Sequence, residues 1–222
     1  MIFGRWKNDY GVIRFSDKGR GLVLYRYGSD GQDLPLLPGT KIEVAEGQAI
    51  AFVVDGALAD VFDKGSYRLT PENFPMLAEK VVFRTRPLKP LKAELYFINM
   101  APITERKWAT RSPALVREDG KNYLVRAYGT YDFQVTDAIP FMLEVFRGRG
   151  FQTTYEVVGF LPTLIAGAFA ATVSELKMPV PEIINHPWEI SALVCGKADR
   201  SARQMGLEIT NVMIEGASLP DV

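Results

Sequence analysis

Two Asp-Gly dipeptides, each placed between runs of β-favouring residues, constrain the fold of this chain most strongly. Asp55-Gly56 separates Ala49–Val54 from the apolar run that begins at Leu58, and Asp119-Gly120 separates "ALVRE" from "NYLVRAYGTYDFQV". Asp-Gly supports the positive φ angles of a two-residue hairpin turn, so both predict antiparallel hairpins. Asp55 is then a turn former rather than a general base. Asp60, on the returning strand, is predicted to face outwards.

Further strands are predicted on both sides of these turns. Residues 41–70 read as three short antiparallel strands, with Lys64-Gly65 as a second break, and "KAELYFINM" (residues 92–100) reads as another. Gly129 interrupts the long run after the second turn, which indicates a bulge or a close backbone approach. The last segment, "LEITNVMIEGASLP", alternates as a strand around a slip at Asn211.

Helical spacing replaces alternation after residue 136. It appears in "TDAIPFMLEVFRG", and "TTYE" (residues 153–156) has the form of a capping box. In the segment that follows, Pro162 is predicted to kink or restart the helix. A last helix is predicted in "NHPWEISALVCGKADRSARQMG", capped by Asn185 and closed by Gly206. Strands, then helices, then a final strand that must return to the sheet indicate one α+β domain.

One uncharged segment requires a membrane test. The 18 residues "VVGFLPTLIAGAFAATVS" between Glu156 and Glu175 reach the lower length limit for a span. They include a proline, two glycines and much alanine, and the large apolar residues fall on one helical stripe. A buried core helix is therefore the preferred interpretation.

The composition excludes several functional classes. Lys+Arg and Asp+Glu both total 26, so no global charge favours nucleic acid, and no nucleic-acid partner is expected. Cys195 and His186 are the single residues of their types, which excludes a disulfide framework and most metal and triad designs. We find no dinucleotide or Walker motif. The sequence thus predicts a protein that is not an enzyme and has no cofactor, metal site or catalytic residue. Cys195 is predicted to be a buried thiol, and His186 is predicted to have a capping or surface role.

The N-terminus is the candidate contact with a membrane. Ile2, Phe3 and Trp6 stand beside Arg5 and Lys7. A basic segment with aromatic and apolar anchors can bind an anionic membrane surface. The alternative is a frayed, solvated terminus. No signal peptide is recognisable, so an interior, reducing compartment is expected.

The order of segments resembles the SPFH (band 7) domain of the stomatin, prohibitin and flotillin group, and within it the bacterial branch called virion core protein-like. The resemblance runs from Leu22 to Pro220, and its motifs are structural. It divides the chain into an N-terminal basic and aromatic segment (residues 1–21) and an SPFH domain (residues 22–222). The matching stretches are "LVLYRYGSDGQDLP", "VAEGQAIAFVVDGALADVFDKGSYRLTPENFPML", "KAELYFINM", "KWAT", "VRAYGTYDFQVTD" and "GLEITNVMIEGASLP".

This resemblance implies an α+β fold in which a strongly curved, antiparallel-rich sheet packs with helices from the second half. It implies a non-enzymatic, membrane-associated scaffold that forms homo-oligomers and binds other scaffold or membrane-stress proteins. The implied location is cytoplasmic, peripheral to the inner face of the cell membrane. The zinc ribbon of several branch members is incompatible with one cysteine. The alternative is a soluble adaptor that binds a peptide or small ligand; a hydrolase is disfavoured by the residues above.

Overall fold

The chain crosses three times between two compact units, each built mainly on antiparallel sheet. The computed structural model describes residues 11–16, 22–28, 35–84, 88–146 and 158–219. The first unit combines Met1–Ala101 with Asp137–Val157, and the second combines Pro102–Thr136 with Val158–Val222. The predicted boundary at residues 21 and 22 stays a prediction.

The first unit contains two sheets among its described residues. The smaller has the order β1-β3-β6, in which β1 runs parallel to β3, and the larger has the order β2-β7-β4-β5. Their strands are β1 (Val12–Arg14), β2 (Leu24–Arg26), β3 (Lys41–Val44), β4 (Gln48–Val54), β5 (Ala57–Phe62), β6 (Gly65–Arg68) and β7 (Glu94–Asn99). Residues 41–70 therefore form four strands shared between two sheets, and the prediction of three was wrong. The break at Lys64-Gly65 returns the chain to pair with β3 instead of extending the hairpin.

The first hairpin turn is confirmed. Asp55 and Gly56 have φ angles of 51° and 78°, and Val53 pairs with Leu58 across the turn. Both φ angles are positive and lie in the left-handed region, as a two-residue hairpin turn of this kind requires. Asp55 is exposed and is a turn residue.

Asp60 is buried, and the prediction that it faces outwards was wrong. The register of β4 and β5 shifts between Ala51 and Val53, so two residues of β5, one of them Asp60, oppose Phe52. Such a bulge breaks the alternation from which a sequence reading assigns faces. The carboxylate of Asp60 accepts a 2.7 Å hydrogen bond from the backbone amide of Leu77. It thereby caps α1 (Pro75–Lys80), whose own N-cap residue makes no side-chain bond.

Aromatic packing joins α1 to the larger sheet. The ring of Phe74, at the start of α1, meets Phe52 and Phe62 edge-on at centroid distances of 5.1 and 5.0 Å. The first unit is completed by α2 (Ala138–Pro140) and a π-helical turn (Phe141–Phe146). The last ring of that turn, Phe146, lies 4.7 Å from the ring of Tyr96 on β7.

The second unit pairs one sheet with a group of helices. Its strands follow the order β11-β10-β8, with β9 also paired to β10. They are β8 (Ile103–Ala109), β9 (Ala114–Glu118), β10 (Lys121–Val135) and β11 (Leu207–Ser218). The helices are α3 (Leu161–Leu176), α4 (Val180–Asn185), a 3-10 turn (Pro187–Ile190) and α5 (Ser191–Arg203). On the helical side of the sheet, Trp108 of β8 packs against Phe169 of α3. The return of the final strand to the sheet and the α+β class are confirmed, although the described residues form three sheets rather than one.

The helix starts differ partly from the predictions. Pro162 lies in the first turn of α3, which begins at Leu161, so the proline restarts the helix as one predicted alternative had it. Asn185 is the last residue of α4, and α5 begins after Ile190 without a side-chain cap, so the capping role predicted for Asn185 was wrong. The predicted capping box at residues 153–156 lies outside the described residues.

Two bulges shape the pairing of β10 with β11. One register shift falls between Asp132 and Phe133, which confirms the slip predicted at the opposing Asn211. The other falls at Gly129, where an added Cβ would clash with the backbone carbonyl of Met213. Gly129 thus combines a bulge with a close backbone approach, as predicted.

Replacing Gly129 with alanine should destabilise the protein by at least about 2 kcal/mol, because the neighbouring backbone must move to admit the methyl group. The control is Gly167→Ala in α3, where an added Cβ meets nothing within 4 Å. This change should stabilise by about 0.5–1 kcal/mol through helix propensity. Urea unfolding of both variants measures the difference, and equal midpoints would contradict it.

Replacing Asp60 with alanine should cost about 1–2 kcal/mol, because the Leu77 amide loses its acceptor in a buried site. Asp60→Asn keeps an acceptor oxygen and should cost less. Asp63→Ala, at an exposed position after β5, is the control. Thermal unfolding ranks the three variants. An Asp60→Ala protein as stable as the control would show that the cap contributes nothing.

Candidate functional site

The predicted membrane contact at Ile2, Phe3, Arg5, Trp6 and Lys7 lies outside the described residues and stays a prediction. The chain that follows it is anchored: β1 pairs with β3, and Ile13 is buried in the core of the first unit. The next aromatic residue, Phe15, packs against Tyr25 with ring centroids 3.6 Å apart. A membrane bound by the N-terminal segment would therefore be linked through β1 to a folded sheet.

The two residues considered for chemistry, His186 and Cys195, lie in the second unit. His186 is exposed between α4 and the 3-10 turn, and its ring meets Trp188 edge-on at 5.3 Å. Its backbone amide donates to the carbonyl of Glu182 and closes α4. Of the two predicted roles, capping or surface, the structure shows the surface position: the His186 side chain makes no capping hydrogen bond at the start of the 3-10 turn.

Cys195 belongs to a stripe of three α5 side chains that bond the backbone of β11. The hydroxyl of Ser191 accepts from the amide of Ile214 at 3.1 Å, and the thiol of Cys195 donates to the carbonyl of Ile209 at 3.4 Å. Asp199 accepts from the amide of Ile209 at 2.9 Å. In the described part of the chain, β11 is an edge strand of its sheet. The stripe therefore bonds backbone amides and carbonyls of β11 that no neighbouring strand pairs with. Cys195 is only half-buried, which corrects the prediction of a buried thiol, and its bond to β11 was not predicted.

The edge contacts continue one turn further along α5. Arg203 pairs with Asp199 at 2.6 Å and also with Glu208 of β11. Asp199 thus accepts from a backbone amide with one oxygen and from a guanidinium with the other, which holds its side chain over the strand. The spacing of Ser191, Cys195, Asp199 and Arg203, four residues apart, puts all of them on one face of the helix.

The shifted pKa values point away from catalysis near neutral pH. Burial raises the pKa of the Cys195 thiol, and the negative charges of Asp199 and Glu208 act in the same direction. Burial also raises the pKa of Tyr131 to about 12. Both groups are held in their neutral forms, which weakens a thiol as a nucleophile. Among the described residues, no cluster of three or more His, Cys, Asp or Glu side chains is placed to hold a metal ion.

An apolar groove lies in the first unit, between the Asp55-Gly56 turn and the π-helical turn. Its volume is about 350 Å³, and the residues lining it are Val53, Gly56, Ala57, Leu58, Met142, Leu143 and Phe146. Leu143 remains 52% exposed at its rim, and Ile139, one turn earlier, is 51% exposed. π-helical turns are rare and are often found at functional sites. The groove offers apolar contact and no titratable group, so it suits binding rather than reaction.

The uncharged segment of the sequence forms a core helix. Leu161, Ile165, Ala168 and Thr172 of α3 are buried in the second unit, as the helical stripe predicted, whereas Leu164 of that stripe is half-buried. Across the described ranges, no helix has the length and apolarity that crossing a bilayer requires.

Comparison with protein families places the chain in a family. The family model described as SPFH domain-Band 7 family matches residues 24–222. It covers β2 and every later strand and helix described above. No curated protein matches the chain.

We expect the native Cys195 thiol to react slowly with Ellman's reagent at pH 7, at least about tenfold more slowly than in the urea-unfolded chain, because burial and its raised pKa both suppress the thiolate. The rate should begin to rise at a higher pH in the native protein than in the unfolded chain, because the raised pKa delays formation of the thiolate. Cys195→Ala supplies the blank. Equal rates for folded and unfolded protein at pH 7 would mean that the thiol is not held in the stripe.

Proposed function

Because the chain belongs to the SPFH domain-Band 7 family, we propose that it is a non-enzymatic scaffold module that self-assembles and organises partner proteins at a membrane. Proteins of this family are typically scaffolding and membrane-associated, and generally non-enzymatic. The family match over residues 24–222 is the observation that carries the proposal. We assign the domain to residues 22–222 and membrane contact to the N-terminal segment, residues 1–21.

The chemistry of the described residues supports a role without turnover. The single thiol is engaged in the edge of β11, and the single imidazole lies on the surface beside Trp188. Enzymes instead place a nucleophile and a base within hydrogen-bond reach of each other. We propose that neither Cys195 nor His186 carries a hydrolytic or redox reaction.

Membrane contact is proposed for Ile2, Phe3 and Trp6, with Arg5 and Lys7 beside them. Burying three such side chains supplies about 1.5–3 kcal/mol each before ordering costs are subtracted. The two cations add a smaller contribution that salt screens. One copy should therefore bind weakly and reversibly, and firm attachment would require many linked copies. We propose that the protein is peripheral to the cytoplasmic face of the cell membrane.

Self-association would provide the many linked copies that firm membrane attachment requires. SPFH proteins often oligomerise. A homo-oligomer would multiply weak membrane contacts and present one partner surface many times over. The partners that such an array would organise are other scaffold or membrane-stress proteins.

A second candidate function, a soluble adaptor that binds an apolar peptide segment, is favoured by the groove beside the π-helical turn. Leu58, Met142 and Phe146 line it, and exposed Leu143 stands at its rim. Such a groove could take one or two apolar side chains of an extended peptide.

Co-sedimentation with anionic vesicles tests the proposal directly. The intact chain should pellet weakly at low salt and less at high salt, and a chain lacking residues 1–7 should lose most of this binding, because it lacks the apolar anchors. Light scattering of the same samples should show a homo-oligomer. Equal pelleting of both chains would remove the N-terminal residues from the mechanism. A monomer that does not pellet even when artificially multimerised would favour the adaptor.

A further inference from the structure

Among the described residues, helices lie against one face of the sheet of the second unit, and the end of its other face near the β9–β10 turn is both apolar and basic. The helices cover the opposite face, where Val116 and Val125 are buried. On the uncovered face Leu115 pairs directly with Leu124, and each is more than two-fifths exposed. The strands β9 and β10 therefore carry apolar side chains on both of their faces.

Three further side chains belong to the same surface. Alternation along β10 puts Arg126 and Tyr128 on the same side as Leu124, and Arg117 follows Leu115 by two residues on β9. Tyr128 is 55% exposed and lies over Gly216 of β11. We call this surface, made of Leu115, Arg117, Leu124, Arg126 and Tyr128, the basic sheet face.

The arginines of the basic sheet face form no ion pair within the described ranges. Of the acids on the same hairpin, Glu118 accepts a hydrogen bond from the amide of Val180 at the start of α4, and Asp119 is exposed in the turn. Glu215, in the bulge of β11 beside Tyr128, accepts from the hydroxyl of Thr130. Two cations thus stand among three large, exposed apolar or aromatic side chains.

We propose that the basic sheet face docks on an anionic lipid bilayer, as a second membrane contact carried by a different unit from the N-terminal residues. This inference rests on the proposed membrane association and adds the surface that performs it. Leucines enter the acyl boundary, tyrosine lies at the interface, and arginines bury their stems while their guanidinium groups meet lipid phosphates.

The charge and the apolar side chains of the basic sheet face favour an anionic bilayer over a second copy of the chain or a nucleic acid. If two copies met through the same face, related by a two-fold axis, the face would oppose itself and bring the arginines of one copy near those of the other, at an energetic cost. Nucleic acid would satisfy the arginines but would leave Leu115 and Leu124 against a phosphate backbone. An anionic bilayer satisfies both kinds of side chain at once.

The test uses the full chain and vesicles of phosphatidylcholine, with or without phosphatidylserine. Two double variants probe the face: Arg117→Gln with Arg126→Gln, and Leu115→Gln with Leu124→Gln. The matched controls are Arg200→Gln and Leu193→Gln, two exposed positions on α5. Each face variant should weaken binding to the anionic vesicles about tenfold, the effect of two near-surface charges or of comparable apolar area, and the controls should bind as the intact chain does.

Hydrogen exchange on the unaltered chain gives a second readout that needs no variant. Anionic vesicles should slow exchange in residues 114–128, and phosphatidylcholine vesicles alone should not. If the face variants bind like the intact chain, or if residues 114–128 gain no protection, the inference is overturned while the proposed function stands. If the intact chain binds no vesicle, both fall. If the variants bind normally but lower the oligomer mass, the occupant is a second copy and this inference is wrong.

Discussion

The pairing of β10 with β11 is the interaction on which the second unit depends. It runs from Arg126 opposite Ser218 to Val135 opposite Leu207, and it joins two segments that all the helices of that unit separate in sequence. Since α5 is bonded to β11 itself, the pairing of β11 with β10 also fixes the position of this helix over the sheet. Gly129 permits the close approach of the two backbones, so a single absent side chain sets the geometry of the whole unit.

The α5 stripe shows how an isolated cysteine can be explained without reactivity. A strand at the end of a sheet presents unpaired amides and carbonyls, which are a template for pairing with other chains. Ser191, Cys195 and Asp199 occupy that edge with side chains at helical spacing. They occupy the backbone groups of Ile209 and Ile214, so β11 cannot add a strand at these positions.

The sequence predicted those parts of the fold that depend on local chemistry. Asp55-Gly56 and Gly129 have backbone requirements that few residues meet, so their roles could be read directly. Asp60 could not, because the bulge opposite Phe52 depends on pairing with another strand and on the amide of Leu77. The strand Ile103–Ala109 was not predicted, because residues 104–107 are all polar or charged and only Ile103 and Trp108, near its two ends, are buried. Leu115 and Leu124 lie in two predicted strands, and the consecutive apolar residues of these strands are the sequence sign of a second apolar face.

The two units are interleaved along the chain, and this has a consequence for synthesis on the ribosome. The strands between Ile103 and Val135 emerge after the first 102 residues, but their partner β11 is among the last segments to be made. Until then Trp108, Val125 and Phe133 have no covering layer, while the first unit also waits for Asp137–Phe146. The nascent chain therefore carries an exposed apolar sheet for much of its translation. Its yield in a cell should depend on chaperone capacity and on translation speed through residues 136–206 more than on the stability of the finished fold.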